Sequence, residues 1–262
     1  MDTQERREKR YYDLLAYIAS NAVAGEIMAI DNYTHMVPLM PGTEEKIETV
    51  HQAHDEAKHV RLLAKLGQRL GFPVMQRIVE PQWQTVRRYV QGAALQNDLT
   101  SCLIAQDIMV ETMAVVAYRT LGRNTDPETA RVAGNILHDE LGHLQIGIDR
   151  IKALLDKDAD EVHRSLTRTH KTVMPQLFGM VSYNCVSLCG DLGVQCSTLK
   201  LDSFKTDLDA VRIEALDTYM EMLDRVGFDT RVTTPLLAEL GEYESRPWAE
   251  TPEPSSSCCA RG

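Results

Sequence analysis

The sequence predicts an all-α protein, and three observations carry that prediction. Apolar residues recur at helical spacing along most of the chain, while the alternation that marks a half-buried strand is almost absent. Proline and glycine punctuate the chain at intervals that suit long helices joined by turns. A six-residue pattern occurs twice within helical segments, as His54-Asp55-Glu56-Ala57-Lys58-His59 and as His138-Asp139-Glu140-Leu141-Gly142-His143.

Taken in order, the first helix is predicted from about Glu8 to Met36, stopped by Pro38 and Pro41-Gly42. Thr43-Glu44-Glu45 supplies an N-cap and early acids for a second helix that reaches about Leu70, before Gly71-Phe72-Pro73. Residues 72 to 96 form a connector with its own helix around Gln82 to Gln91. A third core helix runs from about Asn97 to Leu121, and Asp126-Pro127-Glu128 opens a fourth that continues to about Leu155. Further helices are expected around Asp160 to Lys171, Pro175 to Leu188 and Ser203 to Val226, with Gly227-Phe228-Asp229-Thr230 ending one and capping the next. The chain is thus read as one domain over 1–240, with a core bundle at about 8–156 and flanking helices at 158–240, followed by a disordered Pro/Ser/Glu-rich tail at 241–262. Two hairpins joined by a longer connector match the ferritin-like four-helix bundle, here with additional C-terminal helices.

Composition excludes several classes. A net charge of −10 with no basic block argues against a nucleic-acid or anionic-membrane surface. The polar stretch Met1 to Arg10 has no signal-peptide core. The most apolar run, Leu103 to Val116, is interrupted by Asp107 and Glu111 and falls short of the roughly 20 residues a span needs. A cytoplasmic protein without a membrane span is expected. The six cysteines, Cys102, Cys185, Cys189, Cys196, Cys258 and Cys259, form no C-x-x-C pair. Cys185 and Cys189 stand i, i+4 and offer a soft-metal site on paper, against the plainer reading as buried thiols.

The chemistry lies in the repeat. Each copy holds a Glu-x-x-His pair, whose i, i+3 spacing places both side chains on one helix face. Each is preceded by a glutamate on an apolar stripe: Glu26 stands 30 residues before Glu56, and Glu111 stands 29 before Glu140. Glu26 shares its face with Ala22, Val23, Ala29, Ile30 and Tyr33, where an ionised carboxylate is costly unless paired or metal-bound. Four converging carboxylates would repel one another, and two divalent cations balance them with both imidazoles neutral. Glu26, Glu56, His59, Glu111, Glu140 and His143 are therefore the expected metal ligands, in the order used by dinuclear carboxylate bundles. Mostly carboxylate donors with one imidazole per ion suit iron, with manganese as the alternative.

Other candidates surround this set. Asp55 and Asp139 are expected to accept from the metal-bound imidazoles, the Asp of one motif bonding the His of the other. His54 and His138 point off the ligand face and are read as second-line or surface groups. Tyr33 and Tyr118 each stand seven residues after their glutamate, on the same face; they are either radical or proton relays or buried phenols bonded to a ligand or carbonyl. Asp107, four before Glu111, is open between a solvent-facing residue, a partner of a ligand and an added ligand. His163 and His170 are read as surface residues.

The segment Gly25-Glu26 through Asp31-Asn32-Tyr33, the run Gln106 to Tyr118, and Val226-Gly227-Phe228-Asp229-Thr230-Arg231 resemble the cyanobacterial aldehyde-deformylating oxygenases. The resemblance covers about residues 15 to 156 and resumes at 205 to 240. It implies a ferritin-like di-iron enzyme that splits a fatty aldehyde into an alkane and formate with dioxygen and external electrons. It implies the same six ligands, places Tyr33, Tyr118 and Asp139 beside them, and puts Gln106 near the substrate end. Three positions depart from the family pattern: Leu66 where a cysteine is expected, Asp107 where a small residue is expected, and Arg119 where asparagine is expected. The added acid and base suggest a polar substrate.

The expectation is an oxygen-activating di-iron oxygenase with two irons, dioxygen, an electron-donor protein and a small-molecule substrate with an apolar portion. Aldehyde deformylation leads; N- or C-oxygenation of a small polar metabolite and non-enzymatic iron storage are the alternatives.

Overall fold

The structure, a computed structural model, describes residues 4–183, 190–194 and 208–245. Cys185, Cys189, Cys196, Cys258 and Cys259, and the tail from 246 onward, lie outside the described residues. The described residues form helices joined by turns and short connectors, with no strand among them. Helix α1 spans Gln4–Met36 and ends in a 3-10 turn, Val37–Leu39, that carries Pro38. Helix α2 spans Thr43–Leu70, α3 Pro81–Leu95 and α4 Leu99–Asn124. Helix α5 spans Pro127–Tyr183, α6 Leu208–Val226 and α7 Thr230–Ser245.

Helix ends follow local chemistry. Gly71 closes α2 at φ 78, a left-handed value that glycine adopts without a Cβ penalty, and its N–H reaches the Gly67 carbonyl. The start of α2 differs from expectation. Gly42, not Thr43, is the cap residue, and no side chain caps it, so the acids Glu44 and Glu45 alone favour that terminus. Asp98 caps α4 by accepting from Ser101 N at 3.0 Å. Asp126 caps α5 by accepting from Glu128 N and Thr129 N, each at 3.0 Å.

Two further expectations are corrected. The break predicted between Leu155 and Asp160 falls at Asp158 (φ −154, ψ 82), where two helical stretches of α5 meet at a kink, whereas the break predicted before Pro175 is absent and the helix runs through it to Tyr183. Asp158 recaps the chain beyond the bend through Glu161 N at 3.0 Å, so the helix resumes at once, and Pro175 sits inside it without ending it. The second correction concerns α4, where residues Ile104–Val110 form a π-helical segment. Composition carries no mark of a π turn, because its extra residue per turn does not depend on any one residue type.

Helix α1 packs against α2 and α4 against α5, as the two predicted hairpins, and α3 crosses between them onto α1 and α5. Helix α6 lies on α4 and α5, and α7 on α5. The segments Gln4–Leu39 and Leu99–Asn124 are long and apolar enough by composition to cross a membrane, contrary to the estimate from Leu103–Val116 alone. Their most apolar windows are 61% and 78% buried inside the bundle, as expected for core helices. The core divides into two clusters. One holds Leu15, Ala19, Val23, Leu63 and Tyr118; the other holds Met28, Tyr33, Ile104, Ile108 and Ile148. Of the polar residues of the repeat, Glu56, His59, Glu140 and His143 are buried, whereas His54 and His138 are exposed.

Candidate metal centre

Four helices deliver the charged side chains: Glu26 from α1, Glu56 and His59 from α2, Glu111 from α4, and Glu140 and His143 from α5. All six are at most 5% exposed. Their donor atoms fall into two groups, Glu26, Glu56, His59 and Glu140, and Glu56, Glu111, Glu140 and His143, within each of which the atoms lie within 4.8 Å of one another. Glu56 and Glu140 belong to both groups. The arrangement thus offers two neighbouring cation positions with two shared carboxylates, and one private glutamate and one imidazole each.

The imidazoles point their Nδ1 atoms inward. His59 Nδ1 lies 3.1 Å from Glu56, 3.2 Å from Glu140 and 3.3 Å from Glu26. His143 Nδ1 lies 3.1 Å from Glu56, 3.6 Å from Glu140 and 4.0 Å from Glu111. The outer nitrogens meet the motif aspartates crosswise: His59 Nε2 is 3.2 Å from Asp139, and His143 Nε2 is 3.6 Å from Asp55. The tyrosines also cross. Tyr33, from the Glu26 helix, donates to Glu111 at 2.8 Å, and Tyr118, from the Glu111 helix, donates to Glu26. Each half of the repeat therefore completes the other half's site.

These residues fit a metal pair. Glu56 Oε1, both Glu140 oxygens and both His143 nitrogens are buried without a hydrogen-bond partner. Orphaned carboxylate oxygens at such depth are costly, and cations at the two positions would supply what they lack. From the protein charges alone, burial pushes the Glu56 carboxyl up to about 8, with Glu26 and Glu111 adding to it. Glu111 is raised by burial and then by Glu140. Glu26 moves the other way: burial opposes the shift, but hydrogen bonds from His59 and Glu56 outweigh it. Burial also opposes protonation of His143, yet Glu140 and Glu56 lift it to about 12. A cluster that must borrow protons to coexist is one that divalent cations would neutralise.

Comparison with known proteins agrees with this geometry. The sequence profile of the long-chain fatty aldehyde decarbonylase family matches residues 8–239. The chain belongs to that family. The fold is also that of a solved protein from Synechococcus described as having aldehyde deformylating oxidase activity, at 20% identity and a TM-score of 0.70, covering 87% of this chain and 97% of the other. The fold is thus ferritin-like, as the sequence predicted, and the family is one of enzymes.

The remaining candidates fall into three groups. Gln106 lies in the π segment, donates to Glu111 Oε1 at 2.8 Å and accepts from Asn32 at 2.7 Å. In a regular α-helix residues five apart do not face one another. Here the Glu111 N–H reaches the Gln106 carbonyl, so the π turn brings the two into register. The same turn displaces Asp107, which α-helical spacing would place on the Glu111 face. Asp107 is instead fully buried against α5, with Oδ2 3.2 Å from Arg150 Nη1, and it is not among the converging donor groups. Burial pushes its carboxyl up to about 7 against the pull of Arg150. Arg119 bonds Glu214 of α6 at 3.2 Å, which ties it to the flanking helix.

Among the other histidines, His54 and His138 are exposed, as read. His163 and His170 correct the surface expectation. His163 Nε2 accepts from Asp229 N at 3.1 Å, and the buried His170 meets the Tyr219 hydroxyl at 3.0 Å, because α6 and α7 cover the far half of α5. Cys102 is buried and free, as read. The sequence reading missed Asn32, Gln52 and Arg150. Two signals existed: Gln52 stands four residues before Glu56 and Arg150 seven after His143, so both share a ligand's face.

Proposed function

We propose that the protein is an O2-dependent di-iron oxygenase that removes the aldehyde carbon of a long-chain aldehyde as formate. The observation that supports this most directly is the paired set of six buried ligands, in a chain of the fatty aldehyde decarbonylase family. Glu26 and His59 would hold one iron, Glu111 and His143 the other, and Glu56 and Glu140 both. When bound, the iron pair would supply the site that receives dioxygen and passes electrons to it. Manganese remains the alternative metal.

The chain's own residues do the rest. Tyr118 and Tyr33 hold Glu26 and Glu111 in fixed rotamers by donating hydrogen bonds to them. Asp139 and Asp55 face the outer nitrogens of His59 and His143, which leaves the inner nitrogens free to bind. Beyond Tyr118, Leu15, Ala19, Leu63, Leu66, Leu121 and Val132 line an apolar cavity with room for about one water, so the aldehyde's apolar tail would enter there by parting these side chains. Ala19 stands two turns from Glu26 and Leu63 one turn from His59, so a chain lying there points its head at the carboxylates.

The overall reaction converts RCHO and O2 to RH and formic acid, with the remaining oxygen leaving as water. It consumes four electrons and four protons, so an electron-donor protein is required as partner. Asp107 and Arg119 gave the reading as a polar-metabolite oxygenase its support. With Asp107 paired to Arg150 and Arg119 to Glu214, no observation favours it.

The test is anaerobic loading with iron(II), followed by oxygen, a chemical reductant and a panel of aldehydes and amines. Formate in step with an alkane one carbon shorter than the aldehyde is the expected result. Oxidised amine products without formate would overturn the reading.

A further inference from the structure

The carboxylate of Glu111 is attached to a polar network reaching Arg150, and among the described residues the carboxylate of Glu26 has no matching chain. Arg150 of α5, only 11% exposed, is its hub. Its guanidinium donates to Gln52 Oε1 at 3.0 Å, Asp107 Oδ2 at 3.2 Å, Glu48 at 2.8 Å, Thr49 Oγ1 at 3.1 Å and the Glu45 carbonyl at 3.4 Å. Gln52 Nε2 then donates to the Tyr33 hydroxyl at 3.1 Å, and Tyr33 donates to Glu111. A continuous chain therefore runs from Arg150 through Gln52 and Tyr33 to one carboxylate.

The order of donors matters. Gln52 can give its amide N–H to the Tyr33 oxygen only while its carbonyl faces the other way, and Arg150 is the cation that holds the carbonyl there. With Gln52 so fixed, the Tyr33 oxygen accepts from Gln52 and its O–H must point at Glu111. Arg150 is fixed in turn by Asp107, a fully buried acid that would be a heavy cost without this partner. Gln106 adds a second donor to the same Glu111 oxygen.

We propose that Arg150, anchored by Asp107, is a positioning residue for the Glu111 metal position. Acting through Gln52 and Tyr33, it makes the Glu111–His143 position the pre-organised one of the pair. The inference rests on the dimetal reading above and adds that the two positions bind unequally, with residues far from the ligands setting the difference.

The test is anaerobic titration of metal-free protein with cobalt(II), followed by calorimetry and by the visible absorption of bound cobalt. Wild type should take up two equivalents. Gln52→Leu leaves the Asp107–Arg150 pair intact, so it should fold normally. It should weaken one equivalent by about 10- to 100-fold and change that equivalent's absorption while leaving the other alone. Arg150→Met with Asp107→Asn, which removes both buried charges together, should weaken the same equivalent. Tyr33→Phe combined with Gln52→Leu should be no worse than Tyr33→Phe alone, because both act through one hydroxyl. Tyr118→Phe should weaken the other equivalent.

Equal weakening of both equivalents by Gln52→Leu, no weakening at all, or additivity with Tyr33→Phe would overturn the proposal. Fewer than two equivalents in wild type would overturn the dimetal reading itself, and this inference with it.

Discussion

The two halves of the candidate metal centre carry matched side chains but are braced in opposite ways. Around Glu111 and His143 the carboxylate is the braced group, reached by Tyr33 and Gln106 from inside the bundle. Its imidazole is held loosely, with Asp55 at 3.6 Å. Around Glu26 and His59 the carboxylate has Tyr118 as its hydroxyl donor, and an apolar cluster lies beyond. Its imidazole is the braced group: Asp139 stands 3.2 Å from His59, and Lys58 holds Asp139 at 2.5 Å. A repeat can thus preserve ligands while dividing labour. One side sets an apolar cluster against its carboxylate, and the other surrounds its carboxylate with a hydrogen-bonded network.

The largest effect expected separates shared from private ligands. Glu56→Ala should lose both metal ions and all turnover, since Glu56 serves both positions. Glu26→Ala and Glu111→Ala should each lose one. Metal content after gel filtration reads this directly. Full occupancy in Glu111→Ala would remove that residue from the ligand set, and equal loss in all three variants would erase the distinction between the halves.

Metal removal should expose the charges that the cations balance. In the metal-free protein Glu56 and Asp107 have folded pKa values of about 8 and about 7, above those of an unfolded carboxylate. The folded state then binds more protons than the unfolded one, so this stabilising contribution is present at low pH and lost as pH rises through the folded values. Glu26, which is lowered, contributes with the opposite sign, but in a more acidic range. The metal-free protein should therefore lose at least about 5 °C of melting temperature between pH 5 and 8. The metal-loaded protein should lose less, because binding keeps the carboxylates ionised. A flat metal-free profile would mean the carboxylates are hydrated, not buried.

A pair of glycine substitutions tests the packing beside each half. A Cβ at Gly147 would stand 2.5 Å from Asp107 Cβ and 2.8 Å from the Asp107 carbonyl oxygen, where α5 lies against the π segment. That neighbour is backbone and cannot yield cheaply, so Gly147→Ala should cost roughly 1–3 kcal/mol and loosen the Glu111 position. A Cβ at Gly25 meets the Trp83 ring at 3.1 Å, a side chain able to give a few tenths of an ångström. Gly25→Ala should cost less, and chemical denaturation of both variants measures the difference. Equal costs would show that the π segment is no more rigid than its counterpart.

How much of this was legible in the sequence follows from what each residue's task demands. Metal ligation requires fixed residue types at fixed helical spacing, so the convergence of the six candidate ligands and the crosswise aspartates could be read from the HDExxH repeat and its upstream glutamates. The four-helix core was legible for the same reason. Gln52 and Arg150 were not read, because a polar residue on a ligand's face looks like any solvated one until its partner, about 100 residues away, is known. Asp107 was noticed, but its role depends on a π turn that shifts it relative to Glu111 and leaves no compositional trace. The unbroken run of α5 through Pro175 was equally hidden, since a proline in isolation reads as a helix start.

The smallest effect expected is also the sharpest on the outer bracing. If the His59 side depends on Asp139 and the His143 side depends little on Asp55, then Asp139→Asn and Asp55→Asn should differ although the residues occupy the same place in the repeat. Asp139 is 20% exposed at its side chain, lies within hydrogen-bond distance of His59 and is itself clamped by Lys58. Burial opposes a low pKa for it, but the bonds from Lys58 and His59 win and hold the carboxyl below its usual range, so it stays a full charge against the imidazole. Asp55 stands farther from its histidine and is 33% exposed. Asp139→Asn should weaken the Glu26–His59 metal position by about 10-fold, and Asp55→Asn should weaken the other by about threefold or less. Lys58→Met should fall between them, because it loosens Asp139 without removing it. Cobalt titration of the three variants orders the effects. The reverse order, with Asp55 the more sensitive, would mean that the bracing of the halves is alike and that the networked carboxylate alone distinguishes them.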